Sequence, residues 1–188
     1  MPGYFQTASG GGAAVALDEV EISILRSLAV QLLELIGPGD ATVGGEPADP
    51  LAGLFAEGPT RPPQDPALAR LFPDAYEEEA DSSEFRRYTE IDLRARKRDD
   101  ALAVVRSLDA LTPGGDGGAV LTLDPEQARQ WLGTLNDLRL TMGTRLEVSE
   151  DEDSELYRLP DSDPRKPLVM AYLWLGALQE SLVETLMP

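Results

Sequence analysis

The chain has 188 residues, of which 42% are apolar, so it is long enough to bury one hydrophobic core. Its 34 acidic and 16 basic residues give a net charge of −18, which disfavours binding to DNA, RNA and anionic membranes. The absence of cysteine and histidine excludes a thiol switch within the chain and removes the commonest zinc ligands and the commonest general base.

The amino-terminal segment has the pattern of a β-hairpin. Two short β-prone runs, residues 4–7 and 13–17, flank a glycine-rich turn. A second run of glycines and β-prone residues surrounds Val120 and predicts a third strand that pairs with the hairpin. We therefore expect a small antiparallel sheet beside the helices.

A first long helix is predicted directly after the hairpin. Asp18 and Glu21 have the spacing of a capping box, and Gly37 followed by Pro38 stops the helix. Apolar residues recur within it at three- and four-residue spacing, and they predict its buried face: Val20, Ile24, Leu28, Leu32 and Leu35. The helix is therefore expected to pack one stripe against the core.

Residues 37–65 are rich in Pro, Gly and acidic side chains, a composition typical of an exposed connection. Two Asp-Pro pairs, at 49–50 and 65–66, each place a capping Asp before a proline at the first helical position. Leu and Phe side chains follow both pairs. Each pair therefore predicts a helix of one or two turns that packs a Leu-Phe pair on the core.

A second long helix is expected from about Asp81, where Glu84 would complete a capping box, to about Leu111 before Pro113. Its apolar residues predict a stripe on one side: Phe85, Tyr88, Ile91, Ala95 and Leu102. This stripe is expected to face the core.

Two further helices complete the expected bundle. The third begins at Asp124 and Pro125, and its predicted buried face is formed by Trp131, Leu135, Leu138, Met142 and Leu146. The fourth, residues 166–186, is apolar most of the way round, so we expect it to be the central helix. The fold class is therefore mainly α: a single domain, residues 1–188, with about four long helices and a small antiparallel β-sheet.

The second long helix carries an unusually basic stretch for so acidic a chain. Between Arg86 and Arg98, six basic residues stand against two acidic ones. Five of the six share one helical face, here called the basic face: Arg86, Arg87, Arg94, Lys97 and Arg98. The functional interpretation is a surface that binds an acidic partner or DNA phosphates. The structural one is a solvated face paired with nearby carboxylates, such as Glu90 at four-residue spacing from Arg94.

Polar residues interrupt the apolar face of the third helix. Asn136, Asp137 and Arg139 lie between apolar positions, and buried polar groups need hydrogen-bond partners. We expect a structural network in which Asp137 pairs with an Arg and joins two helices. A catalytic carboxylate is the alternative, but no second titrating group stands at a recognisable spacing.

Two acidic runs, residues 77–81 and 150–153, contain carboxylates that could hold a divalent cation. Neither run has the alternating ligands and turn glycine of a calcium loop, so solvated charge is the favoured interpretation. No phosphate-binding glycine loop or nucleophile elbow occurs in the sequence. We therefore predict no catalytic residue, no metal, no cofactor and no enzymatic activity.

No basic-then-apolar leader follows Met1, and the longest apolar run, residues 168–178, is too short to span a bilayer. These features predict a cytoplasmic protein with no membrane association.

Four segments, taken in order, resemble a single actinobacterial family: residues 65–76, 83–89, 131–140 and 172–179. That family was first catalogued as a domain of unknown function and is now named for the oxidative-stress transcriptional regulator AosR. The resemblance extends over nearly the whole chain. It implies a cytoplasmic regulator that acts with RNA polymerase sigma factors and with DNA. The family's genes tend to lie near those of cysteine synthesis and of a Clp protease adaptor, which suggests the same physiology.

The predicted function is therefore a transcription-associated regulator, in oxidative-stress or cysteine-synthesis control, that uses the basic face. Its expected partner is a protein, a sigma factor or RNA polymerase by the resemblance, and net charge disfavours DNA as a second partner. The alternative is a protein-interaction adaptor linked to Clp proteolysis, with no contact to nucleic acid.

Overall fold

The computed structural model describes residues 3–37, 58–114, 117–148 and 155–187. In chain order, the elements within these ranges are β1 (Gln6–Thr7), β2 (Ala13–Asp18), α1 (Glu19–Ile36), α2 (Pro66–Leu71), α3 (Glu79–Asp109), β3 (Gly118–Leu123), α4 (Pro125–Arg145), a 3-10 turn (Glu155–Arg158) and α5 (Lys166–Leu186). The main hydrophobic core draws buried side chains from β2, β3 and the helices, and a second, smaller cluster contains Leu146, Leu156, Leu159 and Val169. The predicted mainly α class with a small sheet is confirmed.

The sheet is antiparallel, with strand order β1-β2-β3. In the central strand, Ala14 lies opposite Gln6 on one side and Thr122 on the other, so the predicted third strand is confirmed. The hairpin turn places Gly10 and Gly11 at φ of 97° and 84°, a region that glycine enters without strain. β1 is shorter than the predicted residues 4–7.

β1 is short because the backbone N–H of Phe5 makes its hydrogen bond to α5. This N–H donates to the hydroxyl of Ser181 on α5, at 3.1 Å, instead of to a neighbouring strand. The Phe5 ring lies edge-on to Trp131, with 6.0 Å between ring centroids. The amino-terminal segment is thus anchored to the helices as well as to the sheet.

The start of α1 confirms the predicted capping box. The Asp18 carboxylate accepts from the Glu21 backbone at 2.8 Å, and the Glu21 carboxylate accepts from the Asp18 backbone at 2.9 Å. The predicted buried stripe is only partly right, because Val20 and Ile24 are exposed. The stripe is rotated by one residue from the predicted one, with these residues buried: Leu25, Ala29, Leu32 and Ile36.

The short helix α2 forms as predicted. Pro66 occupies its first turn, and the Asp65 carboxylate accepts from the backbone N–H of Leu68 at 2.9 Å. Leu71 and Phe72 are buried in the core. The counterpart predicted at Asp49-Pro50 lies outside the described residues, as does most of the connection at 37–65.

The predictions for α3 are wrong in two respects. The helix begins at Glu79 rather than Asp81, with Glu78 as an N-cap that makes no side-chain capping bond. In addition, Phe85 and Tyr88 of the predicted core stripe are exposed. The buried residues of the first half are Ser82, Arg86 and Glu90, and those of the second half are Ala101, Val104 and Leu108. The reason is the ionic network described below.

α4, and not α5, is the central helix. α4 begins with Pro125 and a capping box of Asp124 and Gln127, and it packs against α1, α2, α3, α5 and β3. Its predicted face is confirmed, since all five residues are buried: Trp131, Leu135, Leu138, Met142 and Leu146. α5 has the predicted bounds but packs mainly on α4, β1 and β2, and part of its apolar surface stays exposed.

Candidate functional site

The basic face of α3 is turned toward the protein's own helices. Arg86 is only 5% exposed, and its guanidinium donates to Glu90 Oε2 at 2.5 Å and to the carbonyl of Phe72 at 3.0 Å. Its other terminal nitrogen pairs with Asp74 at 2.8 Å. Burial disfavours the charged guanidinium, but the hydrogen bonds to Glu90 and Asp74 outweigh this cost and raise the pKa of Arg86.

Two further arginines close the carboxyl end of α1. The last turn of α1 contains no basic residue, and the last carbonyls of a helix lack donors within the helix. Arg94 donates to the carbonyl of Ile36 at 2.7 Å, and Arg98 donates to the carbonyls of Leu33 and Gly37. These side chains therefore cap one helix from another.

Arg94 is held at this position by two other contacts. Its Nη2 lies 2.7 Å from Glu90 Oε1, so Glu90 serves both Arg86 and Arg94. The Arg94 guanidinium also lies over the ring of Phe72, 4.4 Å from the centroid, which is a cation–π geometry. Glu90 is thus the shared anion of the network.

Lys97 joins α3 to α4. Its ammonium lies 2.6 Å from Asp137 Oδ1, and Asp137 is 3% exposed. Burial raises the pKa of Asp137, and the hydrogen bond to Lys97 opposes that rise. Burial, together with the charge of Asp137, also raises the pKa of Asp100 on α3. Gly133 makes room here, since a Cβ at that position would lie 3.2 Å from Asp100 Oδ2.

The other residues of the expected polar network join α4 to α5. Arg139 donates to Gln179 at 2.7 Å, and the Gln179 amide lies 3.5 Å from Asn136 Oδ1. The Asn136 side chain also opposes the rise in the pKa of Asp137. Asp137 does bridge two helices, but its cationic partner is Lys97 and not an arginine, so that detail of the prediction is corrected.

The structure contradicts the expectation that the basic face is open to solvent. Four of its five residues donate hydrogen bonds to carboxylates or carbonyls of this chain: Arg86, Arg94, Lys97 and Arg98. The fifth, Arg87, is half-buried, and its guanidinium lies 5.7 Å from the ring centroid of Tyr88. The physical reason is that carbonyls at the ends of neighbouring helices need hydrogen-bond donors and that the buried Asp137 needs a counterion. A partner-binding role for these residues stays a prediction.

A different surface is open, and the sequence predictions missed it. An apolar groove of about 580 Å³ lies between the start of α1 and the outer face of α5. We call it the α1–α5 groove, and its large apolar residues are Tyr4, Ile24, Met170, Leu173 and Trp174. Met170 is 54% exposed and Leu173 is 44% exposed. Exposed apolar side chains that are contiguous mark interaction sites more often than scattered ones do.

The carboxylates of the α1 capping box form one edge of this groove. Asp18 and Glu21 line it, and no Lys or Arg is among the described residues that do so. The capping bonds use Oδ1 of Asp18 and Oε2 of Glu21. The groove therefore combines an apolar floor with negative charge.

Two other kinds of site are not found in the part of the chain that the structure describes. No group of three or more carboxylates there is placed to hold a metal ion, and the acidic residues 77–79 and 81 are exposed. The second acidic run, residues 150–153, lies outside the described ranges. Within those ranges, no helix is long and apolar enough to cross a bilayer.

Comparison with known proteins places the chain in a family. The family described as a domain of unknown function, DUF2017, matches residues 3–186. The chain belongs to this family. Two relatives named oxidative stress regulator AosR, from Mycobacterium bovis and Mycobacterium tuberculosis, are each 30% identical over 196 residues. These alignments cover 97% of this chain and 85% of each relative. No solved structure matches the chain significantly.

Proposed function

We propose that this chain regulates the response to oxidative stress, and that it acts on transcription by contacting a protein partner. The observation that supports a role in oxidative stress is the similarity to the AosR regulators along 97% of the chain. By the family resemblance, the partner is a sigma factor or RNA polymerase, and the regulated genes include those of cysteine synthesis. The chain acts without catalysis of its own.

The electrostatics favour a protein partner over DNA. The chain carries a net charge of −18, and a DNA-binding protein gains affinity when Lys and Arg displace counterions from phosphates. Four cations of the basic face already have partners within the chain. A phosphate contact would have to break those hydrogen bonds, whereas the α1–α5 groove is open to a protein.

The chain contains no cysteine, so we assign it no thiol oxidation chemistry. We propose that an oxidative signal reaches it through a change in its partner or in its own abundance. Oxidation of the partner alone would alter the complex while leaving this chain chemically unchanged.

The test is made in cells that express the chain naturally. Deleting its gene should change the transcripts induced by peroxide, and the tagged full-length chain should co-purify with a sigma factor or with RNA polymerase. An unchanged transcript response to peroxide would refute the regulatory role. Co-purification with Clp protease components, together with altered half-lives of their substrates, would instead favour the adaptor.

The DNA arm of the test uses the purified chain with promoter fragments at low salt, where phosphate contacts are strongest. We expect no mobility shift at micromolar protein. A salt-sensitive shift that Arg96→Glu weakens would contradict the preference for a protein partner, because Arg96 is an exposed cation on α3.

A further inference from the structure

We infer that the α1–α5 groove binds an amphipathic helix of the partner protein, with large apolar residues on one face and a Lys or Arg beside Asp18 and Glu21. This deepens the proposed protein contact and rests on it. The site is separate from the basic face of α3, whose cations serve the fold.

The spacing of α5 points to a helical occupant. Met170, Leu173, Trp174 and Ala177 follow the i, i+3, i+4, i+7 pattern of a helix face that packs on another helix. Leu175, Leu178 and Leu182, which lie about a third of a turn round the helix from this stripe, are buried in the core. Trp174 packs partly on the core, but Met170 and Leu173 remain exposed beside it, so the stripe has apolar surface left for a further helix.

The absence of charge along this face strengthens the inference. No charged residue occurs in α5 between Lys166 and Glu180. A solvated helix face normally carries charged side chains, but the exposed positions of this stretch are all apolar: Pro167, Met170 and Leu173. Tyr4 and Ile24 extend this surface across to the amino-terminal segment and α1.

The charge of the groove selects the partner's polar residues. Asp18 and Glu21 line one edge, and each carboxylate has a second oxygen beyond the one used in the capping box. A cationic side chain of the partner can reach these oxygens without breaking the cap. Specificity from such complementarity is general at protein interfaces.

The same charge argues against a second copy of this chain as the occupant. Two copies would bring Asp18 and Glu21 of each near the other's acidic surface, with a net charge of −18 on each molecule. Like-charge contacts of this kind oppose association, whereas a basic helix is attracted over a Debye length of about 10 Å at 0.1 M salt.

The experiment uses the full-length chain, labelled with ¹⁵N, and three synthetic 18-residue peptides as probes. The first peptide is an amphipathic helix of Leu and Lys, the second replaces its Lys with Glu, and the third scrambles the first so that no apolar face forms. The first peptide should bind saturably and shift the amides of Met170 and Leu173 and the indole N–H of Trp174. The other two peptides should bind at least about ten-fold more weakly, which is about 1.4 kcal/mol.

Matched double variants then locate the binding site. Met170→Glu with Leu173→Glu should weaken binding of the Leu-Lys peptide at least about ten-fold, because it removes two central apolar contacts. Phe85→Glu with Tyr88→Glu adds the same charge at similarly exposed apolar positions on α3 and should change binding less than about two-fold. Met170→Glu alone provides a milder variant if the double variant loses its fold by circular dichroism.

Glu21→Gln tests the charge separately from the fold. A Gln side chain can still accept the capping bond from Asp18, so the helix start is retained. We expect binding of the Leu-Lys peptide to weaken a few-fold at low salt and the difference to vanish at about 0.5 M salt. A difference that persists at high salt would overturn the ionic part of the inference.

Three outcomes would overturn the groove assignment. The first is that both double variants lose peptide binding equally, and the second is that all three peptides bind equally well. The third is that the chain dimerises with increasing concentration and that Met170→Glu with Leu173→Glu abolishes the dimer. In cells, a folded groove variant that supports a normal peroxide response, where gene deletion does not, would reject the groove and leave the regulatory role intact. Peptide binding at the groove without any effect of gene deletion would reject only the regulatory role.

Discussion

The two halves of α3 bury opposite kinds of side chain. In the first half the inward positions are Ser82, Arg86 and Glu90, while the aromatic residues Phe85 and Tyr88 face solvent. In the second half the inward positions are apolar, as in an ordinary amphipathic helix: Ala101, Val104 and Leu108. One continuous helix therefore changes the chemistry of its buried face along its length.

The difference follows from what each half packs against. The first half lies near the ends of α1 and α2, whose carbonyls at Ile36, Gly37 and Phe72 receive donors from arginines of α3. A buried acceptor without a donor costs about 1–3 kcal/mol. Several such costs together exceed the roughly 1.5–3 kcal/mol gained by burying one large apolar side chain. The carbonyls at neighbouring helix ends can thus decide that polar side chains, and not the apolar stripe of α3, are buried.

The largest effect is expected from Glu90→Ala in the first half of α3. Removing the shared anion leaves Arg86 buried with only Asp74 as a counterion, and loss of one partner of a buried ion pair typically costs about 3–5 kcal/mol. Urea denaturation measures the free energy of unfolding. Glu84→Ala, at an exposed carboxylate of the same helix, is the control and should change it by less than about 0.5 kcal/mol. Equal effects of the two substitutions would contradict the network.

Leu108→Ala probes the apolar half. Leu108 is buried in the core, so truncation should cost about 3 kcal/mol by lost transfer free energy and a residual cavity. Leu93→Ala, at a position that is 36% exposed in the same helix, should cost less than about 1 kcal/mol. If Leu93 proved as important as Leu108 in the same denaturation experiment, the contrast between the halves would be wrong.

A smaller effect, dependent on pH, is expected from Asp100→Asn. Burial raises the pKa of Asp100 above its ordinary value of 3.8, so the folded state holds this proton more tightly than the unfolded state. The stabilising contribution of the protonated carboxyl is complete below that value and is lost as the pH rises through the folded-state pKa. The wild type should therefore lose stability relative to Asp100→Asn as the pH rises above about 4. A difference that stays constant with pH would refute the raised pKa.

The smallest effect is expected from Tyr88→Ser. Tyr88 is 68% exposed, and substitutions at such positions usually change stability by less than about 0.5 kcal/mol. If Tyr88 lay in the core, as its place in the apolar stripe predicts, truncation would cost several kcal/mol. Thermal unfolding of the wild type and the variant separates these alternatives. A loss of stability above about 2 kcal/mol would contradict the exposed position of Tyr88.

Local signals predicted the starts of α1 and α4 well, although they failed for α3. The start of α1 is set by Asp18 and Glu21, and the start of α4 by Asp124, Pro125 and Gln127, all within one turn of the helix. The apolar spacing of α4 also predicts its buried face, because this helix is surrounded by other elements and its widest apolar stripe meets the core. Such signals need no knowledge of distant residues.

The amino-acid sequence by itself determined the helices, the small sheet, the acidic charge and the absence of thiol and imidazole chemistry, because each depends on neighbouring residues or on composition. Only the tertiary structure decided which faces of α1 and α3 are buried. Arg98 meets a carbonyl 61 residues away and Lys97 meets a carboxylate 40 residues away, so their environment depends on how the helices pack. The α1–α5 groove is open for the same reason, since α5 lies beside the central helix instead of within the bundle and leaves Met170 and Leu173 exposed.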